Sequence, residues 1–403
     1  MKLLIVSNGH GEDIIAVRII EQLQISLNNL EITALPIVGE GYAYKKLHIP
    51  IAGKVQIMPS GGFVYMSKNH LFSDIQGGLL QLTVEQLKVV KQWGKTQYPI
   101  VAVGDIVPLL FARLSGSNYA FVGTAKSEYY LRDSHGTWLE QTSWLEKQFG
   151  SVYLPWERWL MSGAISVYPR DTLTTTILQQ QGIKAHNLGN PMMDGFAVSS
   201  TSERLDRTLK IVLLPGSRQK EALRNWQQIL AAVSEIVNNL TEYELIFYAA
   251  IAPTVDITLF QQLLLANGWK QSSSEKLLFE QRKATLWLAQ NAYNQYLQEA
   301  HLAIAMAGTA TEQFVGLGKP VITMPGEGPQ CTFAFMEAQS RLLGCSILLQ
   351  ESPTEVVPTI KSLLNAPDWL KAIAKNGRAR MGNPGAAQRI AHHLKTTLLQ
   401  KSS

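Results

Sequence analysis

The chain is short of cysteine, of charge and of long apolar runs, and each shortage closes off a class of protein. Its 403 residues include two cysteines, Cys331 and Cys345. They do not form a Cys-x-x-Cys pair, so neither a disulfide framework nor a cysteine-built zinc site is expected. The eight histidines include no His-Glu-x-x-His, and the adjacent His392 and His393 lie near the C-terminus, so no structural metal is expected either. No apolar stretch approaches the roughly 18 residues that a spanning helix needs. The opening Lys2 to Val6 run reaches polar Ser7 and Asn8 too early for the core of a signal peptide, and the expected location is the cytoplasm. No basic run occurs, yet Lys plus Arg (36) exceeds Asp plus Glu (31), for a formal charge of +5 and a pI near 9.0. That mild excess suits phosphates or an acidic lipid surface, and equally an ordinary soluble enzyme.

What is present points to a folded, multidomain α/β chain. Hydrophobic residues make up 46% and charged residues 17%, far from the composition of disordered chains. The length suits two or three domains of about 100–200 residues each. Short β-branched runs ending in Gly, Ser or Asp alternate with longer segments of helical period, the pattern of parallel sheets with crossover helices. Strands are expected at Leu3 to Val6, Ile32 to Leu35, Ile100 to Val103, Tyr119 to Val122 and Ile165 to Val167. Helices are expected at Ile14 to Leu27, Leu79 to Trp93 and Thr172 to Gln181. The polar stretch Ala197 to Arg207 reads as a linker. The pattern restarts with strands at Lys210 to Leu214, Leu245 to Tyr248, Leu302 to Ala305, Val321 to Met324 and Ser346 to Leu349, with helices between. Two doubly wound, Rossmann-like domains follow, residues 1–195 and 208–380, facing across a cleft. A C-terminal helix within 381–403 could cross back to the first domain.

In doubly wound sheets, ligands sit beyond the carboxyl ends of the strands, so the loops there carry the candidates. The first is Ser7 to Asp13. Gly9 and Gly11 suit a tight turn, but Ile14 stands where a dinucleotide fingerprint has its third glycine, and Glu12 and Asp13 would repel a pyrophosphate. Glu12 and Asp13 are either dipole partners of the helix or ligands of an acceptor hydroxyl, and His10 is either a surface residue or a base. The second loop, Leu213 to Arg218, offers Gly216, Ser217 and the permanent cation Arg218, which suits phosphate better than it suits a plain turn. The third, Met306 to Gln313, opens a helix. Its Gly308, Thr309, Ala310 and Thr311 either cap that helix or cradle a diphosphate without metal, and Glu312 or Gln313 could hold ribose hydroxyls. The two loops together read as one nucleotide-diphosphate site. Beyond Pro325, Glu327 and Gln330 either hydrogen-bond sugar hydroxyls or sit in a connector. Asp105, at the end of an apolar strand, is a helix cap or a general base.

These motifs together resemble the lipid A disaccharide synthase family, inverting glycosyltransferases of the two-domain GT-B fold. The resemblance rests on Leu214-Pro215-Gly216-Ser217-Arg218 with Glu221, Gly308 to Thr311 with Gly318-Lys319-Pro320, Gly189-Asn190-Pro191 with Asp194, Gly104-Asp105, and Gly61-Gly62-Phe63-Val64, in the family's order. It implies transfer of a sugar from a UDP-linked acylated glucosamine to a lipid-linked acceptor, at the inner face of the cell membrane, with no cofactor, no metal and no nucleic acid partner. Carried over, Arg218 and the Gly308 to Thr311 loop would bind the diphosphate, Asp105 would be the catalytic acid residue, and the first loop with Phe63 would lie on the acceptor side. That loop reads Gly9-His10-Gly11-Glu12-Asp13 where the family has G-E-x-S-G-D, which points to a different glycolipid. The rival readings are a UDP-sugar 2-epimerase and a non-catalytic nucleotide-sugar-binding protein of the same fold.

Two aromatic segments bear on the membrane. Phe63 to Met66, beside Gly61-Gly62 and before Lys68, is expected in an exposed loop that touches lipid. Trp156 to Met161 has helical spacing and is expected in the core.

Overall fold

A computed structural model of the chain describes residues 1–56, 79–197, 207–273, 277–326 and 332–399. Phe63, Glu327 and Gln330, and the whole Phe63 to Met66 segment, lie outside the described residues, as does the side chain of His10. The chain divides into two units: unit 1 is Met1–Asp194 with Asn383–Ser403, and unit 2 is Gly195–Gly382.

Unit 1 begins with β1 (Lys2–Ser7), α1 (His10–Ser26), β2 (Glu31–Pro36) and the short α2 (Tyr42–Lys46). It continues with α3 (Leu79–Gly94), β3 (Ile100–Gly104), α4 (Ile106–Ser115) and β4 (Tyr119–Gly123). It then runs through α5 (Trp144–Phe149), α6 (Pro155–Ser162), β5 (Ser166–Tyr168) and α7 (Thr172–Gln180). The sheet has the order β2-β1-β3-β4-β5, parallel throughout. Its strands are apolar on both faces because helices cover both. Alternate residues feed two cores: Leu4, Val6, Ile100 and Ala102 enter one, and Leu3, Ile5, Val101 and Val103 the other.

Unit 2 opens with β6 (Thr208–Leu214), α8 (Gln219–Asn239), β7 (Glu244–Ala250) and α9 (Ile257–Ala266). A meander of β8 (Lys270–Ser273), β9 (Leu278–Gln281) and β10 (Ala284–Ala289) follows. Next come α10 (Tyr293–Glu299), β11 (Leu302–Ala305), α11 (Thr309–Gly316), β12 (Val321–Thr323), α12 (Phe333–Leu343) and β13 (Ile347–Leu349), then α13 (Val356–Leu364) and α14 (Pro367–Met381). The sheet order is β13-β12-β11-β6-β7-β10-β9-β8. β10 lies parallel to β7, and β9 pairs antiparallel with both β10 and β8. The reading of helices alone between Tyr248 and Leu302 is therefore corrected: three strands extend the sheet. Their signal is the alternation along Ala284–Ala289, where every second residue is buried.

After α14 the chain re-enters unit 1 as α15 (Ala386–Leu394). Ile390, Ala391 and Leu394 pack in the core that holds Ile15, Ile19 and Leu23 of α1. The helix start is fixed by one carboxylate: Asp194 accepts the backbone N–H groups of Gly385 (2.6 Å), Ala386 (3.0 Å) and Ala387 (2.7 Å). A carboxylate there satisfies orphan donors and opposes the helix dipole. Arg389 Nε donates to Leu188 O at 2.9 Å, so the Gly189-Asn190-Pro191 and Asp194 motif serves to seat this helix.

Candidate functional site

In unit 2 the chain leaves β6 toward β7 on one side and returns on the other side at β11, the switch point where doubly wound sheets bind ligands. Leu214 pairs with Ala305, so the loops after β6 and β11 emerge side by side. Two buried amides join them. Asn225 of α8 is 1% exposed, and its Nδ2 donates to Pro215 O (3.0 Å) and Met306 O (3.2 Å). Gln339 of α12 donates to Ala307 O and Gly308 O, both at 3.4 Å. Neither residue was singled out from the sequence, since a lone amide inside a helix carries no pattern. Gly216 has φ +106°, a conformation that L side chains rarely adopt.

Four predicted donor-side residues meet here: Gly216, Ser217 and Arg218 on one loop, Gly308 on the other, with exposed Thr309 and half-buried Ala310 opening α11. No side chain caps that helix start. Arg218 is half-buried, 3.5 Å from Glu221 Oε1 across one turn. Two of the predicted residues turn inward instead. The buried Thr311 hydroxyl donates to Ala307 O at 2.6 Å, and Gln313 Oε1 accepts the Tyr293 hydroxyl at 2.6 Å. Glu312 stays half-buried on that turn. Lys319 of the Gly318-Lys319-Pro320 motif donates to the carbonyls of Leu297 and Gln298 at the end of α10, a capping role.

In unit 1 the switch lies between β1 and β3. Ser7 pairs with Val103, and Gly104 with Gly123, so Glu12, Asp105 and Thr124 emerge from neighbouring strands. Gly104 has φ +133°, and a Cβ there would come within 3.2 Å of both Asn8 Cβ and Glu12 Cγ. Only a glycine lets the first loop and the β3 turn approach so closely. Gly9 precedes α1 and Gly11 lies in its first turn, where a Cβ would meet nothing within 4 Å.

The carboxylates of this loop have separated roles. Asp13 is buried and accepts the Ser7 hydroxyl at 2.6 Å, while Ser7 also bonds the Tyr44 hydroxyl at 2.6 Å, so Asp13 anchors α1 and α2. Glu12 is half-buried, and its Oε1 accepts the Thr124 hydroxyl at 3.3 Å. Desolvation pushes its carboxyl up to about 7, with the nearby Asp105 charge adding to the rise. Asp105 caps α4, its Oδ1 accepting Val107 N–H at 2.8 Å. Burial raises its carboxyl too, opposed by that bond and by the charge of Lys126. Lys126 in turn holds buried Glu157 at 2.7 Å. Asp105 is thus both a cap and a titrating neighbour, and Glu12 is the more perturbed carboxylate.

Among the described residues, no group of three or more His, Cys, Asp or Glu is placed to hold a metal ion, and no helix is long and apolar enough to cross a membrane.

No family model and no curated protein matches the chain. Solved structures do. MurG of Acinetobacter baumannii is similar over 98% of this chain and 99% of its own, with a TM-score of 0.58 at 17% identity. The calicheamicin glycosyltransferase CalG4 covers 100% and 99%, with a TM-score of 0.59 at 12% identity. The UDP-GlcNAc 2-epimerase of Neisseria meningitidis, solved with UDP-GlcNAc bound, covers 99% and 100%, with a TM-score of 0.52 at 14% identity. At such identities the likeness concerns the fold alone: two Rossmann-like α/β domains of the GT-B class.

Proposed function

We propose that the chain is a glycosyltransferase that moves a sugar from a UDP-linked donor to a hydroxyl of a lipid or glycolipid, by a single inverting displacement without a metal ion. The observation that carries this reading is Glu12, a carboxylate with its proton affinity raised to about 7 at the switch point of unit 1. An ordinary carboxylate is too weak a base for an alcohol, whereas one near neutrality is poised to accept its proton. Unit 2 supplies the complementary chemistry. The uncapped start of α11 and the Arg218 guanidinium suit a leaving diphosphate, whose growing charge fixed donors stabilise.

The 2-epimerase reading stands beside it, because an epimerase with UDP-GlcNAc bound shares the fold along its whole length and a base near neutrality also serves proton removal from a sugar carbon. Incubating the protein with UDP-GlcNAc, with and without an added glucosamine-containing glycolipid, in EDTA, separates them. UDP release that depends on the glycolipid is the expected result. Epimerised sugar without acceptor would make the chain an isomerase. UDP binding with no turnover of UDP-linked sugars on any glycolipid would make it a binding protein, and loss of turnover in EDTA, restored by Mg²⁺, would overturn the metal-free mechanism.

A further inference from the structure

The exposed apolar surface is unevenly spread. Of the fifteen large apolar side chains exposed among the described residues, seven lie between Leu110 and Trp159, all in unit 1. They sit on three helices. α4 presents Leu110 and Leu114, one turn apart. α6 presents Trp156 (51% exposed) and Trp159 (60%), also one turn apart, while its Leu160 and Met161 enter the core. α5 buries none of its residues, leaving Trp144 70% exposed and Leu145 58%.

These faces adjoin one another. The Arg113 guanidinium of α4 lies 5.0 Å from the centre of the Trp159 ring, a cation–π contact that joins α4 to α6. Arg158 of α6 donates to Phe149 O, at the end of α5, at 3.0 Å. The charge on the α4 and α6 face has one sign. Their charged residues are Arg113, Glu157 and Arg158, and Glu157 is buried and paired with Lys126, so both charges left at the surface are basic. α5 adds exposed Lys147, while its Glu146 closes a capping box with Ser143. Exposed tryptophans beside arginine, two of them on a short helix whose Leu160 and Met161 are buried, suit the interface of an anionic bilayer. There indole rings sit at headgroup level and basic side chains meet lipid phosphates. A second copy of this chain would bring the same arginines face to face.

We propose that α4, α5 and α6 form a docking surface for an anionic phospholipid leaflet, with Trp144, Trp156 and Trp159 entering the headgroup layer and Arg113 and Arg158 engaging phosphate. This deepens the proposed lipid-linked acceptor and rests on it for its purpose, but its test needs neither donor nor acceptor. Flotation of the full chain with vesicles of phosphatidylcholine containing phosphatidylglycerol should carry it to the lipid layer, less so in high salt and less with phosphatidylcholine alone. Trp144→Gln, Trp156→Gln and Trp159→Gln together should weaken partition by at least about tenfold, leaving the melting temperature and UDP affinity unchanged. Trp156→Gln alone should show a smaller loss, which keeps the test valid if the triple variant does not fold. Phe63→Ser with Met66→Ser should retain most of the binding. Unchanged partition in the tryptophan variants, loss confined to the Phe63 variant, or failure of the wild type to float at low salt would overturn the proposal. So would a wild-type dimer in sedimentation that the tryptophan changes dissolve. Vesicle binding without any turnover of UDP-sugars would sink the transferase reading and leave the surface standing.

Discussion

The two sheets place their switch-point loops in the same way and equip them with opposite chemistry. In unit 2 the loops after β6 and β11 with the helix turns they open are neutral apart from Arg218, Lys220, Glu221 and Glu312, and they are fixed from behind by the amides of Asn225 and Gln339. In unit 1 the loops after β1 and β3 carry three carboxylates, of which one anchors a helix, one caps another and one is left with a proton near neutrality. Amides hold their geometry at any pH and are suited to presenting backbone donors to an anion. A desolvated carboxylate changes charge in the working range and is suited to moving a proton. On the proposed reading the same topology would serve anion binding in one unit and proton transfer in the other, and the carboxylates that would repel a diphosphate in unit 1 are the groups a base requires.

The sharpest way to break this division is Glu12→Gln. It removes the base and keeps the shape, so kcat/KM for transfer should fall about 10²- to 10⁴-fold while UDP affinity by calorimetry stays unchanged. In the wild type the rate should rise with pH to a plateau, with its midpoint about 7, where Glu12 loses its proton. Asp105→Asn should move that midpoint to lower pH, because the Asp105 charge is one of the causes that raise Glu12. A rate limb that stays in place in Asp105→Asn and vanishes in another carboxylate variant would reassign the base.

Asn225→Ala tests the other side. It leaves two carbonyls without their shared donor in a buried site, at a cost of about 2–4 kcal/mol, read as a lower melting temperature together with weaker UDP binding. Arg218→Ala should instead weaken UDP or UDP-sugar binding by about 1.5–3 kcal/mol, the range for a hydrogen bond to a charged group, and leave the melting temperature alone. If both variants changed stability equally, Arg218 would be a structural residue of α8 and not an anion ligand.

Much of this was legible because strands buried on both faces write themselves as unbroken apolar runs ending in small or acidic residues. Leu302–Ala305 matched its run to the residue, and the other predicted strands differ from theirs by one or two residues at an end. The meander escaped notice because its turn at Arg282 and Lys283 contains no glycine or asparagine, although Arg282 takes φ +54°, so the usual hairpin signal was missing. Trp156 to Met161 shows a different limit. Its expected place in the core is corrected, because helical spacing alone does not say which stripe is buried. Leu160 and Met161 take the core, and the two tryptophans take the surface. The place of Thr311 and Gln313 after a strand suits a cap and a ligand alike, and only packing reveals that both side chains bond inward.

The smallest effect concerns stability, and it ties the proposed base to its cost. The folded Glu12 carboxyl, held at about 7, binds its proton more tightly than the unfolded one, near 4.5. Glu12 therefore favours the folded state fully below pH 4.5, and that contribution is lost as pH rises through 7, where the ionised group sits in a desolvated place. A glutamine is neutral throughout and skips this loss. The melting temperatures of wild type and Glu12→Gln should coincide near pH 4.5 and separate as pH rises, the variant gaining a few degrees above pH 7.5. Other raised carboxyls, such as Glu128 and Asp105, are present in both proteins and largely cancel in the difference. A difference that is constant with pH would mean that Glu12 titrates alike in the folded and unfolded states, and the base would then have to be sought elsewhere.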